Sequence, residues 1–261
     1  MRTARPHTFT EKVRYKMLRD HRPLLVTFAD KWAVREYVAR TIGAHHLPAL
    51  HAVADHPSDL ADQTLALMVS LRGSVCLYQG EELGLPETEL LFEELTDPRG
   101  IRFWPQDKGR DGCRTPIPWD EGNPPNGFTT GTPWLPVKPP QALHNVARQN
   151  ADPASTLAFY RRILAWRKTQ PVLAVGDIAF FDVAEPILAF RRGTETGAML
   201  CIFNLSAEPH AVAVTGLHEG TGLEPVSERA GLADGVLQLA ANGYAFIALD
   251  ASSTAAVSDL G

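Results

Sequence analysis

The spacing of apolar residues changes once along this chain, near Gly176, and that change limits what it can fold into. Upstream, Leu60, Thr64, Leu67, Met68 and Leu71 recur every three or four residues, with Ser58 placed to cap a helix and Gly73 to stop it. The short run Ser74–Tyr78 (SVCLY) follows as a buried-type strand, and Gln79-Gly80-Glu81-Glu82-Leu83-Gly84 leaves it as a polar loop. Helix, turn, strand and loop is the rhythm of a parallel α/β sheet, whose sites lie at the carboxyl ends of strands. Downstream the period is two. Ile178–Val183, Ile187–Phe190, Met199–Leu205, Ala211–Val214, Val236–Leu239 and Tyr244–Leu249 read as strands, with a hairpin turn at Gly193–Gly197. An α/β element followed by an antiparallel sheet or sandwich is therefore expected. The last residues, SSTAAVSDLG, read as a loose tail.

Two other segments stand apart from this rhythm. Glu11–Asp20 reads as a helix, Leu24–Phe28 as a short strand, and Asp30 to Ile42 as a helix capped by Asp30 and stopped by Gly43. Residues 98–140 hold ten of the twenty prolines and three of the five tryptophans, Trp104, Trp119 and Trp134. So little periodicity combined with buried-type aromatics predicts a long ordered loop rather than a disordered one. Asp152-Pro153 is placed to begin the next helix, whose apolar face holds Leu157, Tyr160, Ile163, Leu164 and Trp166.

Composition narrows the function classes. The 261 residues are 44% hydrophobic and 21% charged with a net charge of −5, which argues for a folded chain. No apolar run reaches the eighteen or so residues of a membrane span, and the opening MRTARPHTFTEKVRYK has no apolar core of a secretory signal. No membrane partner is expected. Cys76, Cys113 and Cys201 are odd in number and widely spaced, which argues against a disulfide scaffold or a four-thiolate zinc site and predicts a reduced, cytoplasmic protein. Residues 1–56 carry ten Lys and Arg against five Asp and Glu, whereas residues 57–261 carry fifteen against twenty-five. That asymmetry marks a candidate boundary. No basic-aromatic stripe accompanies it, so no nucleic acid is expected. His45, His46, His51 and His56 place no two rings on one helical face and have no carboxylate cluster beside them, so neither metal nor cofactor is expected. Asn204-Leu205-Ser206 matches a glycosylation sequon but falls in a predicted strand.

The chemistry-bearing residues are polar side chains among aromatics: Tyr78, Gln79, Glu81, Glu82, Glu87, Trp104, Arg110, Asp111, Arg114 and Trp119. Carboxylates and Arg make paired charged hydrogen bonds to hydroxyls, and Trp rings stack on sugar faces. Arg–Asp pairs in loops also serve as structural ties, and both readings of Arg110 stay open here.

The wording of the motifs adds a resemblance. Residues 73–85 (GSVCLYQGEELGL), Asp97-Pro98, residues 100–105 (GIRFWP), residues 109–116 (GRDGCRTP), Trp119, residues 127–131 (GFTTG) and residues 134–137 (WLPV) resemble α-glucosidases of the α-amylase superfamily, of the oligo-1,6-glucosidase type. The helix Ser155–Lys168 and the strands ending Phe203-Asn204-Leu205-Ser206 resemble that family's last barrel helix and the β-sandwich after it. The resemblance implies the final helix–strand–helix unit of a (β/α)8 barrel with a long ordered loop, then an antiparallel β-sandwich: an incomplete barrel. It implies retaining α-glucosidase chemistry on α-linked gluco-oligosaccharides, with substrate-binding roles for Arg110 and Asp111, and Glu82 and Glu87 at the entrance. The family's nucleophile, its acid/base and its Asn-His-Asp motif match nothing here; Ala52-Val53-Ala54-Asp55-His56-Pro57 precedes Ser58. No catalytic residue is therefore assigned, and the chain is expected to be inactive alone. A non-catalytic sugar-binding module is the alternative.

Residues 8–51 resemble a different family. Glu11-Lys12-Val13-Arg14-Tyr15, Leu18-Arg19-Asp20, residues 24–31 (LLVTFADK) and residues 34–38 (VREYV) resemble the opening of ATP-grasp-type proteins of teichuronic-acid and surface-polysaccharide synthesis. That implies a fused leader and, as a further alternative, a ligase or transferase fragment. The expected divisions are residues 1–56, 57–172, 173–250 and a tail at 251–261.

Overall fold

A computed structural model describes residues 33–41 and 60–260. The helix and strand expected over residues 11–28, the Asp30 and Ser58 caps, Gly43 and the four histidines lie outside the described residues. By its contacts the chain divides into two units, Met1–Ala49 with Pro98–Gly109, and Leu50–Asp97 with Arg110–Gly261.

In the first unit, α1 (Ala33–Thr41) falls inside the predicted helix, with Glu36 in its first turn and Arg40 in its last, each placed to complement the helix dipole. The same unit contains Pro98–Phe103. There Asp107 ties the turn that follows, accepting from Arg99 Nε at 2.6 Å and from the Gly109 N–H at 2.8 Å.

The second unit begins with α2 (Ala61–Ser70). Numbering Pro98–Phe103 as α3, it continues with α4 (Pro139–Ala142), α5 (Val146–Ala151), α6 (Thr156–Lys168) and α7 (Pro171–Val175). Helix α6 starts later than Asp152-Pro153 suggests. The Ser155 hydroxyl accepts from the Ala158 N–H at 3.2 Å and caps the helix, while Asp152 closes a turn on the Ala154 N–H at 2.8 Å. Seven antiparallel strands follow: β1 (Asp177–Phe180), β2 (Ile187–Gly193), β3 (Ala198–Asn204), β4 (His210–Thr215), β5 (Glu228–Ala233), β6 (Val236–Leu249) and β7 (Ala256–Asp259). Their order is β1-β2-β3-β6-β4-β7, with β5 also on β6. The predicted hairpin joins β2 to β3, closed by the Thr194 N–H on the Gly197 carbonyl at 2.9 Å.

Both faces of the central strands are covered. Met199, Cys201 and Phe203 of β3, with Phe190, Tyr244 and Phe246, pack against Leu65, Ala66 and Val69 of α2, Phe159 and Ile163 of α6, and Leu173 of α7. Leu200 and Ile202 point the other way and meet Val212, Val214, Leu237, Leu239, Ile247 and Val257, so the curled sheet closes on itself as a sandwich. This is why β3 reads as an unbroken apolar run rather than an alternating one. Strand β6 serves both halves: residues 244–249 pair with β3, and residues 236–239 pair with β4. The change of partner occurs around Asn242, which has φ 52°.

Three expectations need correction. Ser74–Tyr78 forms no strand, because among the described residues nothing pairs with it, and a strand exists only with a ladder partner. The supposed tail carries β7, whose Val257 is buried and whose Asp259 accepts from the Ala184 N–H at 3.0 Å. Strand β5 (ERAGLA) has no counterpart among the expected strands, because two charges and a glycine hide its pattern.

One buried cation joins helix to sheet. Arg192 of β2 is fully buried and donates to three backbone carbonyls: Ser70 at 2.6 Å, Gly176 at 2.8 Å and Asp177 at 3.2 Å. Burial pulls its pKa down, yet a guanidinium stays charged, and the charge strengthens each bond. At the surface, Glu94 accepts from the Leu91 N–H at 2.8 Å and pairs with Lys138. The Lys138 hydrogen bond, with that N–H, holds the Glu94 carboxyl below the ordinary glutamate range.

Arg192→Met strands the Ser70, Gly176 and Asp177 carbonyls and is expected to lower stability by about 3 kcal/mol, read from the urea midpoint. An unchanged midpoint would show that the three carbonyls find other partners. The Glu94 stabilisation is complete above the ordinary glutamate pKa and fades as pH falls through the lowered value. Glu94→Gln is therefore expected to remove at most about 1 kcal/mol at neutral pH and nothing at acid pH. Parallel midpoint–pH curves for the two proteins would contradict this.

Candidate functional site

The loop after residue 78 turns sharply because Gly80 adopts φ 91°, a conformation costly for any side chain. The single turn Glu81–Leu83 follows, with Glu82 Oε2 accepting from the Gly80 N–H at 2.8 Å. Gln149 of α5 holds this turn through the Leu83 carbonyl at 2.8 Å. Buried Tyr160 of α6 lies within its field: burial first, then the Glu81 and Glu82 charges, push its hydroxyl up to about 12.

A second loop, residues 110–116, is stitched to the first. The Thr88 N–H donates to the Gly112 carbonyl at 3.0 Å, and Gln141 Nε2 donates to the Thr115 hydroxyl at 2.6 Å. Gly112 has no room for a side chain, since a Cβ there would sit 2.7 Å from both Glu87 Cγ and the Thr88 carbonyl. Exposed Glu87 thus lies directly over the Asp111-Gly112 backbone.

Two buried carboxylates organise the cluster. Asp111 Oδ2 accepts the Thr96 and Asp97 N–H groups at 2.6 Å each, and its Oδ1 takes the Thr96 hydroxyl at 3.1 Å. Asp97 Oδ2 accepts the Arg110 N–H at 3.0 Å and Arg110 Nε at 3.4 Å. The Asp97 side chain is 4% exposed and that of Arg110 65%. Arg110 is therefore anchored at its base and presented to solvent, so the tie and the presentation occur together.

Of the four residues singled out for substrate binding, Arg110, Asp111 and Glu87 are brought into one loop cluster, and Glu82 sits on the turn held by α5. Asp111 is committed to the backbone. Asp97, quoted above only as part of a motif, completes the cluster with Thr88 and Gln141, which the sequence does not single out; lone amides and threonines carry no chemical signature of this role. Trp119 and Trp134 are exposed on the Pro-rich loop, at 52% and 61%. Trp134 Nε1 donates to the Arg114 carbonyl at 3.3 Å, and its ring meets Phe128 edge-on at 5.5 Å. Trp104 belongs to the first unit. A separate open cleft of about 320 Å³ is lined by residues including Glu121, Asn126, Lys138, Asn145 and Arg148, and by none of the four candidates. Among the described residues, no group of three or more metal-type ligands occurs, and no helix is long and apolar enough to cross a membrane.

Comparison with known proteins gives this loop cluster a context. The profile of the α-amylase catalytic domain matches residues 7–176, a span that includes residues 8–51. A probable alpha-glucosidase of Rhizobium meliloti (strain 1021) is 45% identical over 179 residues, which is 69% of this chain and 32% of that protein. Glucan 1,6-alpha-glucosidase of Streptococcus pneumoniae is 30% identical over 217 residues, 72% of this chain and 40% of that protein. The crystal structure of the alpha-glucosyl transfer enzyme XgtA superposes with a TM-score of 0.66 at 44% identity, over 81% of this chain and 38% of that one. The chain thus spans roughly a third of the length of these relatives. With more than half of its residues inside the family match, this chain belongs to the α-amylase catalytic-domain family.

Proposed function

We propose that this chain is a terminal portion of an α-glucosidase-type catalytic unit that contacts an α-linked gluco-oligosaccharide through Arg110 and Glu87, and that it hydrolyses no glucoside alone. The observation that carries the reading is the presentation of Arg110: Asp97 fixes its backbone and Nε while the side chain stays 65% exposed. A planar fork held at its base loses little freedom when it bonds paired hydroxyls. The names of the relatives, alpha-glucosidase and glucan 1,6-alpha-glucosidase, support the substrate class.

Retaining hydrolysis needs two carboxyl groups about 5 Å apart, one to attack and one to move the proton. In this loop cluster Asp111 is taken up by the Thr96 and Asp97 amides, Asp97 by Arg110, and Glu82 by Gly80. Each of these carboxylates is engaged as an acceptor that holds the loops. Glu87 is left without an acid partner in the cluster.

The likeness of residues 8–51 to ATP-grasp proteins forms a subsidiary part of the proposal, supported by the run of matching residues and by the basic excess of residues 1–56. An ATP-induced rise in melting temperature is its expected signature, and no shift disposes of it. Three free cysteines support a reduced, cytoplasmic setting.

Calorimetric titration with isomaltose is expected to give a Kd on the order of 1 mM, and Arg110→Ala to weaken it about tenfold or more through loss of a charged hydrogen bond. Release of p-nitrophenol from its α-glucoside is expected to stay at the uncatalysed rate. Turnover by the purified chain that Arg110→Ala abolishes would overturn the inactive reading. Isomaltose binding indifferent to that substitution would remove Arg110 from the site.

A further inference from the structure

We infer that the exposed indole of Trp134 is a stacking platform for the second glucose unit of the oligosaccharide, one unit beyond the glucose contacted by Arg110. The inference rests on the proposed sugar-binding role of Arg110 and extends that site to a disaccharide.

Trp134 stands on the surface beside neighbours that are drawn inward. Leu135 and Val137 are buried and anchor the stretch, while the largest side chain of the four residues 134–137 is left in water. The ring is nevertheless held. Its Nε1 donates to the Arg114 carbonyl at 3.3 Å, and Phe128 meets it edge-on, with centroids 5.5 Å apart and planes at 82°. Phe128 is itself placed by a turn, its N–H donating to the Pro125 carbonyl at 3.1 Å just after Gly127 adopts φ 72°. With its N–H satisfied and its plane set by Phe128, the indole offers a flat apolar surface that loses little freedom when covered. A pyranose ring, with C–H groups on its face, matches one flat ring of this kind. A protein partner does not: an indole supplies roughly 200 Å², against about 800 Å² per partner in a stable protein interface.

The bond to Arg114 ties the platform to Arg110. Asp111–Cys113 is a tight helical turn with Arg110 at its start and Arg114 at its end. The Arg114 N–H closes it on the Asp111 carbonyl at 2.9 Å, and Cys113 Sγ donates to the Arg110 carbonyl at 3.2 Å. Asp111 in turn fixes this element to the Thr96 and Asp97 amides. Four steps of such a turn cover on the order of 8 Å, a separation that an α-linked disaccharide spans. One rigid element therefore sets both recognition groups. Arg110 supplies charged hydrogen bonds to hydroxyls, and Trp134, held at the far end of the turn, supplies the apolar face for the next sugar.

Two ligands separate the units: methyl α-glucoside has one glucose and isomaltose two. Titrated against the full chain, methyl α-glucoside is expected to bind with a Kd on the order of 10 mM and isomaltose on the order of 1 mM. Trp134→Ala is expected to weaken isomaltose about tenfold, to the level of methyl α-glucoside, and to leave methyl α-glucoside unchanged. A merely structural role for Trp134 would loosen the Arg110 turn and weaken both ligands alike. Trp134→Leu keeps apolar bulk against Phe128 but no flat face; it is expected to match Trp134→Ala and carries the test where a melting curve shows the alanine variant to be unstable. Trp134→Phe is expected to restore isomaltose affinity to within about threefold. Isomaltose binding indifferent to Trp134→Ala, an equal loss for both ligands in a folded variant, or no rescue by Trp134→Phe would overturn the platform and leave the reading of Arg110 standing. Methyl α-glucoside binding indifferent to Arg110→Ala would remove that reading instead, and binding of neither ligand would overturn both.

Discussion

The guanidinium of Arg192 sits where the two halves of the second unit meet, and their mutual position depends on it. The last carbonyls of a helix have no partner within the helix, and burying them bare costs free energy. At the end of α2 the Ser70 carbonyl is satisfied by a side chain rising from β2, and the same side chain takes up Gly176 and Asp177 where β1 begins. Helix end, strand start and sheet are thus locked through one planar group with a fixed fork of donors. A lysine, with a single point of attachment, could not span the same three oxygens. Nearby Cys201 is buried, and its thiol pKa is raised chiefly by that burial, so it acts as a small apolar group against the helices.

With that junction fixed, the site loops gain rigidity from carboxylates rather than from regular structure. Between residues 85 and 116 of the second unit there is little helix or strand, so backbone N–H groups must find side-chain acceptors. Asp111 and Asp97 supply them in sequence, one fixing residues 96–97 and the other fixing Arg110. The exposed guanidinium is therefore the end of a chain of buried contacts. Its position is set by buried groups beneath it, the arrangement the proposed recognition role calls for, since a side chain already held loses less freedom on binding.

The elements legible in sequence are those whose apolar period reflects one clear environment. Helices α2 and α6 and strands β2, β3 and β4 are of this kind, with Leu65, Ile163 and Leu200 at or near zero exposure. Strand β6 reads as two strands because Ala240-Ala241-Asn242-Gly243 interrupts its pattern, whereas the strand runs through from Val236 to Leu249. Strand β5 is hidden by its charges, and β7 because Val257 alone marks its buried face. At the site, the motif residues were visible, but sequence could not separate a carboxylate that faces solvent from one that caps backbone. Asp111 and Glu87 look equivalent as letters; only the packing of Gly112 under Glu87 and of Asp111 under Thr96 tells them apart.

The placement of the apolar core explains how the second unit keeps a tight interior although residues 74–78 contribute little to it. In a closed barrel the helices cover strands of the barrel itself. Here α2, α6 and α7 share their core with β2, β3 and β6, through Phe190, Phe203 and Tyr244, whose rings follow one another at 5.9 Å spacings. Among the described residues of this segment, Val75 links it to that core. The sheet therefore supplies these helices with apolar surface, and the segment between Gly73 and Gly80 contributes little to it.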